Sequence, residues 1–165
     1  MGSLMLNAAL DAEALYKELL RYVQQTITPL TQLVGVTSGG AWLVERLQRD
    51  LNRSLPSGTI SSSMHRDDFS QRGMSSGGQT VLPFDVTNSD ILLFDDVLYT
   101  GRTVRAALDA MIAFGRPEKV ELLVLIDRKR TRELPISADY VGQYVNTLDT
   151  QKVLVELESQ KPVGY

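Results

Sequence analysis

Cysteine is absent from the 165 residues, and histidine occurs once, as His65. These shortages exclude disulfides, thiol catalysis and any Cys/His zinc site. No apolar run approaches the ~20 residues that a membrane-spanning helix needs. The opening Met1-Gly2-Ser3-Leu4-Met5 has no basic segment leading into an apolar core, so it does not read as a signal peptide. Residues 1–4 read instead as a vector-derived scar before a natural Met5. Positive charge is not in excess either: 17 Lys plus Arg against 20 Asp plus Glu give a formal charge of −3 and a pI near 5.2. The chain is no bulk polycation, and nucleic acid could bind only through a local basic patch. The lack of cysteine suits a reducing cytoplasm, which is the expected location. No internal repeat is present.

What is present is an ordinary globular composition. Hydrophobic residues make up 43% and charged residues 22%, which excludes long disorder and collagen-like repeats. A mass of 18.3 kDa suits one core and is too small for two. The expected domain spans residues 5–158, with 159–165 as a tail.

Apolar spacing predicts a helix over 8–26, through Leu15, Leu19 and Val23, with Asn7 or Asp11 as its cap and Thr28-Pro29 as its stop. Leu33 to Val36 reads as a buried strand, Thr37-Ser38-Gly39-Gly40 as a turn, and 41–53 as a helix. Arg46, Arg49 and Arg53 share one face of that helix. A strand is predicted over 58–64. The polar, glycine-rich stretch 66–79 reads as a loop of functional length. Ile91 to Phe94 forms a buried strand that runs into Asp95-Asp96. Val104, Ala107, Leu108, Met111 and Ile112 define an amphipathic helix closed by Gly115 and Pro117. Val120 to Ile126 is another strand, with later candidates at 140–144 and 153–157. Strands alternating with helices predict an α/β domain with a mostly parallel sheet.

The chemistry concentrates in Ile91 to Thr103. A strand delivers two adjacent carboxylates, and a short turn with Thr100, Gly101 and Thr103 opens a helix. A helix N-terminus offers unpaired N–H groups and partial positive charge, and Gly101 lets the backbone close on a ligand. That is a phosphate cradle. Asp95 and Asp96 lie just upstream, suited to accept from sugar hydroxyls. The segment reads as a site for a ribose 5-phosphate.

Asp95-Asp96-Val97-Leu98-Tyr99-Thr100-Gly101-Arg102-Thr103 resembles the PRPP-binding motif of the type I phosphoribosyltransferases. With Gly115-Arg116-Pro117, Leu125-Ile126-Asp127-Arg128, Arg132-Glu133-Leu134-Pro135-Ile136 and Ala138-Asp139-Tyr140-Val141-Gly142, it is similar to the PyrR family. Those are pyrimidine operon attenuation proteins that are also uracil phosphoribosyltransferases. The resemblance covers about residues 8–158. It implies a mostly parallel twisted sheet flanked by helices, with a mobile lid loop and a small hood. It also implies the reaction of uracil with PRPP to give UMP and pyrophosphate, with Mg²⁺ carried on substrate oxygens and no dedicated protein metal site. Residues 95–103 would hold PRPP. Thr37, Ser38, Gly39 and Gly40 would be the pyrophosphate loop, departing from an expected Lys-Thr-Arg-Gly by the loss of both cations. Residues 66–79 would be the lid. Arg66 could meet pyrophosphate there, while Asp67 and Asp68 could position magnesium or simply be solvated. His65 is a candidate base, though an oriented uracil needs little help. Asp127 and Arg128 would lie against the base.

Attenuation would need mRNA leader contacts on a basic surface. Ser137 stands where the resemblance expects arginine, and Lys129-Arg130-Thr131 replaces Gly-His with one extra residue. RNA reading has therefore been lost or rebuilt with Lys129 and Arg130. The alternative reading is an RNA-binding attenuator with little catalysis. The expected assembly is a homodimer or higher homo-oligomer.

Overall fold

Asp11 opens the first element of the computed structural model, which describes residues 11–61 and 79–146. Its carboxylate accepts from the amides of Glu13 (3.0 Å) and Ala14 (3.3 Å) and so caps helix α1, Ala12–Thr26. Asn7 and the first residues of the predicted helix lie outside the described residues. Strand β1, Gln32–Val36, leads into helix α2, Gly39–Asp50. That helix starts two residues before the predicted Ala41, so both glycines of the turn form its first turn. Strand β2 is Gly58–Ile60, with a single antiparallel bridge from Thr59 to Val81 beyond it. Strand β3, Asp90–Leu98, helix α3, Arg102–Ile112, strand β4, Lys119–Arg128, and strand β5, Tyr140–Val145, follow. The candidate strand at 153–157 lies outside the described residues.

The five strands form one parallel sheet in the order β2-β1-β3-β4-β5. Helices α1 and α2 pack one face through Leu15, Tyr16, Leu19, Val23, Trp42, Leu43 and Leu47, against Phe94, Leu123 and Leu125. Helix α3 packs the other face through Val104, Ala107 and Met111, against Val34, Leu93 and Val124. The central strands are buried on both sides, which explains why they read as continuous apolar runs rather than alternating ones.

Strand β3 is the element that most exceeds its predicted extent. β1 pairs with it only as far as Gly35 against Phe94, whereas β4 pairs with it from Asp90 to Leu98. The ladder with β4 holds Asp95 and Asp96 inside the strand, although their side chains are poor strand formers. Over those last residues β3 has a strand neighbour on one side only, and a crevice opens on the other.

A polar group of four joins α1 to α2 away from that crevice. Arg46 forks onto the Glu13 carboxylate (2.9 and 2.5 Å) and stacks 3.9 Å over the Tyr16 ring. Tyr16 donates to Asp50 at 2.7 Å. The hydrogen bond from Arg46 holds the Glu13 carboxyl below its ordinary range, while burial and the bond to Asp50 push the Tyr16 phenol up.

Leu19 is fully buried where α1 meets the sheet. Leu19→Ala is expected to lower stability by about 2–5 kcal/mol, since the helix cannot collapse onto the space without losing its other contacts. A urea titration checks this, and a loss under 1 kcal/mol would mean that α1 is not seated on the core as described.

Candidate functional site

β1 and β3 are neighbours, but the helices that follow them lie on opposite faces of the sheet. Parallel sheets bind ligands at such a reversal, outside the carboxyl ends of the strands. Both turns singled out from the sequence sit there, Thr37-Ser38 after β1 and Tyr99-Thr100-Gly101 after β3.

The first turn is anchored on the outer strand: the amide of Thr37 donates to the Ile60 carbonyl at 2.9 Å, and its hydroxyl reaches the same oxygen at 3.3 Å. Ser38 is exposed and occupies the N-cap position of α2 without capping it through its side chain. Gly39 and Gly40 are buried, and both are glycine for want of space. A Cβ on Gly40 would overlap the Phe94 carbonyl, and one on Gly39 would overlap the Asp96 carboxylate. The first turn of α2 thus rests directly on β3.

The two carboxylates are fixed locally. Asp95 Oδ1 accepts from the Asp96 amide (2.9 Å), and Asp96 Oδ1 accepts from the Val97 amide (2.8 Å). Asp95 is buried at 7% exposure, whereas Asp96 is partly open to the crevice side beside Gly39. Tyr99 is half exposed, and Gly101 takes the left-handed conformation (φ 96°) at the N-cap of α3. No L side chain adopts that conformation readily, so glycine is required for the turn. The Arg102 amide meets the Thr100 hydroxyl at 3.2 Å. Thr103 lies in the first turn of α3.

The segment 131–136, quoted from the sequence only for its family resemblance, closes over this turn, a contact the sequence did not announce. The Arg132 guanidinium donates to the Tyr99 carbonyl and, at 2.6 Å, to Asp127 Oδ1. The Thr131 hydroxyl lies 3.1 Å from the same Tyr99 carbonyl. The amides of Glu133 (2.8 Å) and Leu134 (3.2 Å) donate to the Thr100 carbonyl. Arg102 pairs with Glu133 at 2.7 Å, and Leu134 and Ile136 pack beside Gly101. These contacts join residues distant in sequence, and no spacing rule reveals them.

Asp127 and Arg128 end β4 as predicted, at the same edge of the sheet. Asp127 is buried at 5% exposure against Arg132. The Arg128 guanidinium stacks 3.9 Å over the Tyr99 ring, and its Nε is a buried donor without a hydrogen-bond partner among the described residues. Lys129 and Arg130 are exposed, with the Lys129 ammonium 5.3 Å from the Tyr144 ring. The run of cations from 128 to 132 is therefore divided among separate partners. Arg46 and Arg53 are likewise engaged, Arg46 with Glu13 and Arg53 with the Thr31 carbonyl. His65, Arg66, Asp67, Asp68 and all of the predicted lid except Gln79 lie outside the described residues.

The family model for the phosphoribosyl transferase domain matches residues 5–161. The "Bifunctional protein PyrR" of Ralstonia nicotianae is 40% identical over 161 residues, covering 94% of this chain and 91% of that one. The protein of the same name from Desulfosudis oleivorans is 42% identical over 158 residues, covering 90% and 87%. Among solved structures, a hypoxanthine phosphoribosyltransferase from Staphylococcus aureus matches with a TM-score of 0.60 at 21% identity, over 84% of this chain and 76% of that one. That likeness speaks for the fold alone.

Gly39→Ala would force the Asp96 carboxylate to move. The expected result is a rise of about 10- to 100-fold in the dissociation constant for PRPP, the scale of misplacing one binding group by an ångström. Isothermal titration with PRPP and Mg²⁺ measures it, and unchanged affinity would show that Asp96 and the first turn of α2 are not coupled.

Proposed function

The chain belongs to the phosphoribosyl transferase family and, within it, to the PyrR proteins; on that premise we propose that it converts uracil and PRPP to UMP and pyrophosphate and regulates pyrimidine operon transcription by UMP-dependent RNA binding. It is a phosphoribosyltransferase. The observation that carries the reading is the pair Asp95-Asp96 followed by the Gly101 turn, placed at the reversal point of a parallel sheet.

Breaking the C1–O bond of PRPP leaves positive charge on the ribose and negative charge on pyrophosphate, while N1 of uracil bonds to C1 and releases its proton to solvent. Positioning and charge stabilisation supply the catalysis, with little covalent work for the protein. Asp95 and Asp96 accept from the ribose hydroxyls and place negative charge near the developing cation. The amides after Thr100 take the 5′-phosphate at the N-terminus of α3. Thr37 to Gly40 face pyrophosphate, with the N-terminus of α2 behind them. Asp127 and Arg128 border the base. The hard oxygen donors here are the Asp95 and Asp96 carboxylates, which suit magnesium borne on substrate oxygens; when bound, it neutralises charge on the leaving pyrophosphate.

No helix among the described residues is long and apolar enough to cross a membrane. A cytoplasmic location and a homodimer or higher homo-oligomer complete the reading. Exposed Leu30, Ile112 and Phe114 leave apolar surface for a second copy. The RNA surface is assigned to Lys129 and Arg130, both exposed, with Lys129 beside the Tyr144 ring.

Incubation with PRPP, Mg²⁺ and each nucleobase in turn is expected to yield a nucleotide with uracil only. Asp96→Asn keeps the shape and removes the charge. It is expected to cost roughly 2–4 kcal/mol of transition-state stabilisation, by analogy with loss of one preorganised polar group. An unchanged kcat/KM for PRPP in the Asp95→Asn, Asp96→Asn double variant would sink the assignment of the carboxylates.

For the regulatory role, the measurement is binding of the pyrimidine-operon leader RNA at several salt concentrations with UMP present. Replacing Lys129 and Arg130 with alanine should flatten the log–log salt slope by about 0.7 to 0.9 for each lost phosphate contact. Selective binding with an unaltered slope would place the RNA elsewhere. UMP formation without selective RNA binding would leave the salvage enzyme alone.

A further inference from the structure

We propose that Arg132 is a positioning residue that locks the Tyr99–Gly101 turn with its carbonyls turned away from the bound 5′-phosphate. The inference rests on the phosphoribosyl site and not on which base is used.

A turn that binds phosphate must aim N–H groups inward, because a carbonyl oxygen facing the anion repels it. Three consecutive carbonyls flank the critical amides here, and each has a donor on the protein side. The Tyr99 carbonyl takes the Arg132 guanidinium; the Thr131 hydroxyl is 3.1 Å away but lies nearer the Arg128 carbonyl, at 2.6 Å. The Thr100 carbonyl takes the amides of Glu133 and Leu134. The Gly101 carbonyl takes the Arg105 amide at 3.0 Å, inside α3. Three of the four donors, Arg132, Glu133 and Leu134, come from residues 132–134.

Within that segment Arg132 has a role the others lack. Its second nitrogen lies 2.6 Å from Asp127 Oδ1, and Asp127 is buried at the end of β4 opposite Leu98 of β3. The guanidinium therefore bridges a rigid strand end and the phosphate turn. Its side chain is 23% exposed, turned into the protein rather than outward. A planar fork reaches two acceptors at once; a lysine ammonium on a flexible stem does so poorly. Removing it would also leave Asp127 buried without its partner, a costly state.

Titration of the wild type, Arg132→Lys and Arg132→Gln with UMP, uridine and PRPP plus Mg²⁺ separates this role from a general structural one. Arg132→Gln is expected to lose about tenfold in affinity for UMP and PRPP, the scale of one charge-assisted hydrogen bond, while uridine affinity by NMR stays within about twofold. Arg132→Lys should fall between. Equal losses for UMP and uridine, or unchanged UMP and PRPP affinity, would overturn the proposal. If Arg132→Gln melts too low to assay, Asp127→Asn, Arg132→Gln removes the stranded charge, and its UMP-to-uridine affinity ratio should still drop. A wild type that binds PRPP but not UMP would count against uracil as the base, with the PRPP titration still reading the turn.

Discussion

The seat of helix α2 on strand β3 is the contact on which the site depends. Gly40 lies so close to the Phe94 carbonyl, and Gly39 to the Asp96 carboxylate, that neither position has room for a Cβ. Gly35 of β1 is pressed in the same way against the backbone of Gly40. Helix α2 is therefore drawn down between two strands rather than resting on a layer of side chains. One result is geometric: the turn after β1 is brought to face the turn after β3 across the crevice. The other is electrostatic: the Asp96 carboxylate sits at a helix N-terminus, where negative charge is favoured.

Unequal strand pairing supplies the second condition. β1 leaves β3 at Phe94, while β4 accompanies β3 to Leu98. The carboxylates are thus held by a ladder on one side, with Asp95 buried and Asp96 partly open on the other. A carboxylate on a free loop would lose side-chain and backbone entropy at each binding event; held in a strand and tied to the next amide, it has lost most of that freedom already. Apolar layers cover that strand on both faces, with Leu93, Phe94 and Leu98 fully buried.

Sequence reading was most successful where structure is local. The buried apolar runs at 33–36, 91–94 and 120–126, the offer of Asp11 as one of two candidate caps, and the closeness of two carboxylates to a Thr-Gly turn all depend on residues a few positions apart. The ends of elements were less legible, because tertiary pairing sets them: β3 extends through two aspartates that propensity alone would exclude, since β4 holds it there. The early start of α2 was missed because its glycines are poor helix formers whose presence answers a packing need. The clamp on the phosphate turn was not legible at all. Arg132 and Tyr99 are 33 residues apart, and nothing in either segment announces the other. A run of cations from 128 to 132 suggests one basic patch, whereas the fold distributes it among a tyrosine ring, a buried aspartate and solvent.

That distribution bears on how an acidic chain holds an anionic substrate. Arg102 lies on Glu133 and Arg132 on Asp127, so two of the cations around the turn after β3 already face carboxylates. The Arg102 pair is exposed and weak. The turn after β1, where the family resemblance expects two cations, carries Thr37 and Gly39 instead. Gly39 cannot be exchanged freely for a charged residue, because Asp96 lies where the side chain would begin. On the proposed reading, anion binding among the described residues thus falls mainly to backbone amides at the N-termini of α2 and α3. Amides differ from lysine or arginine in that their dipoles are fixed by the fold and need no reorganisation when charge moves. They are also useless if the backbone turns over. A site that binds through its main chain must control the carbonyls as firmly as the amides, and the segment after β4 meets that requirement by taking up the oxygens of Tyr99 and Thr100.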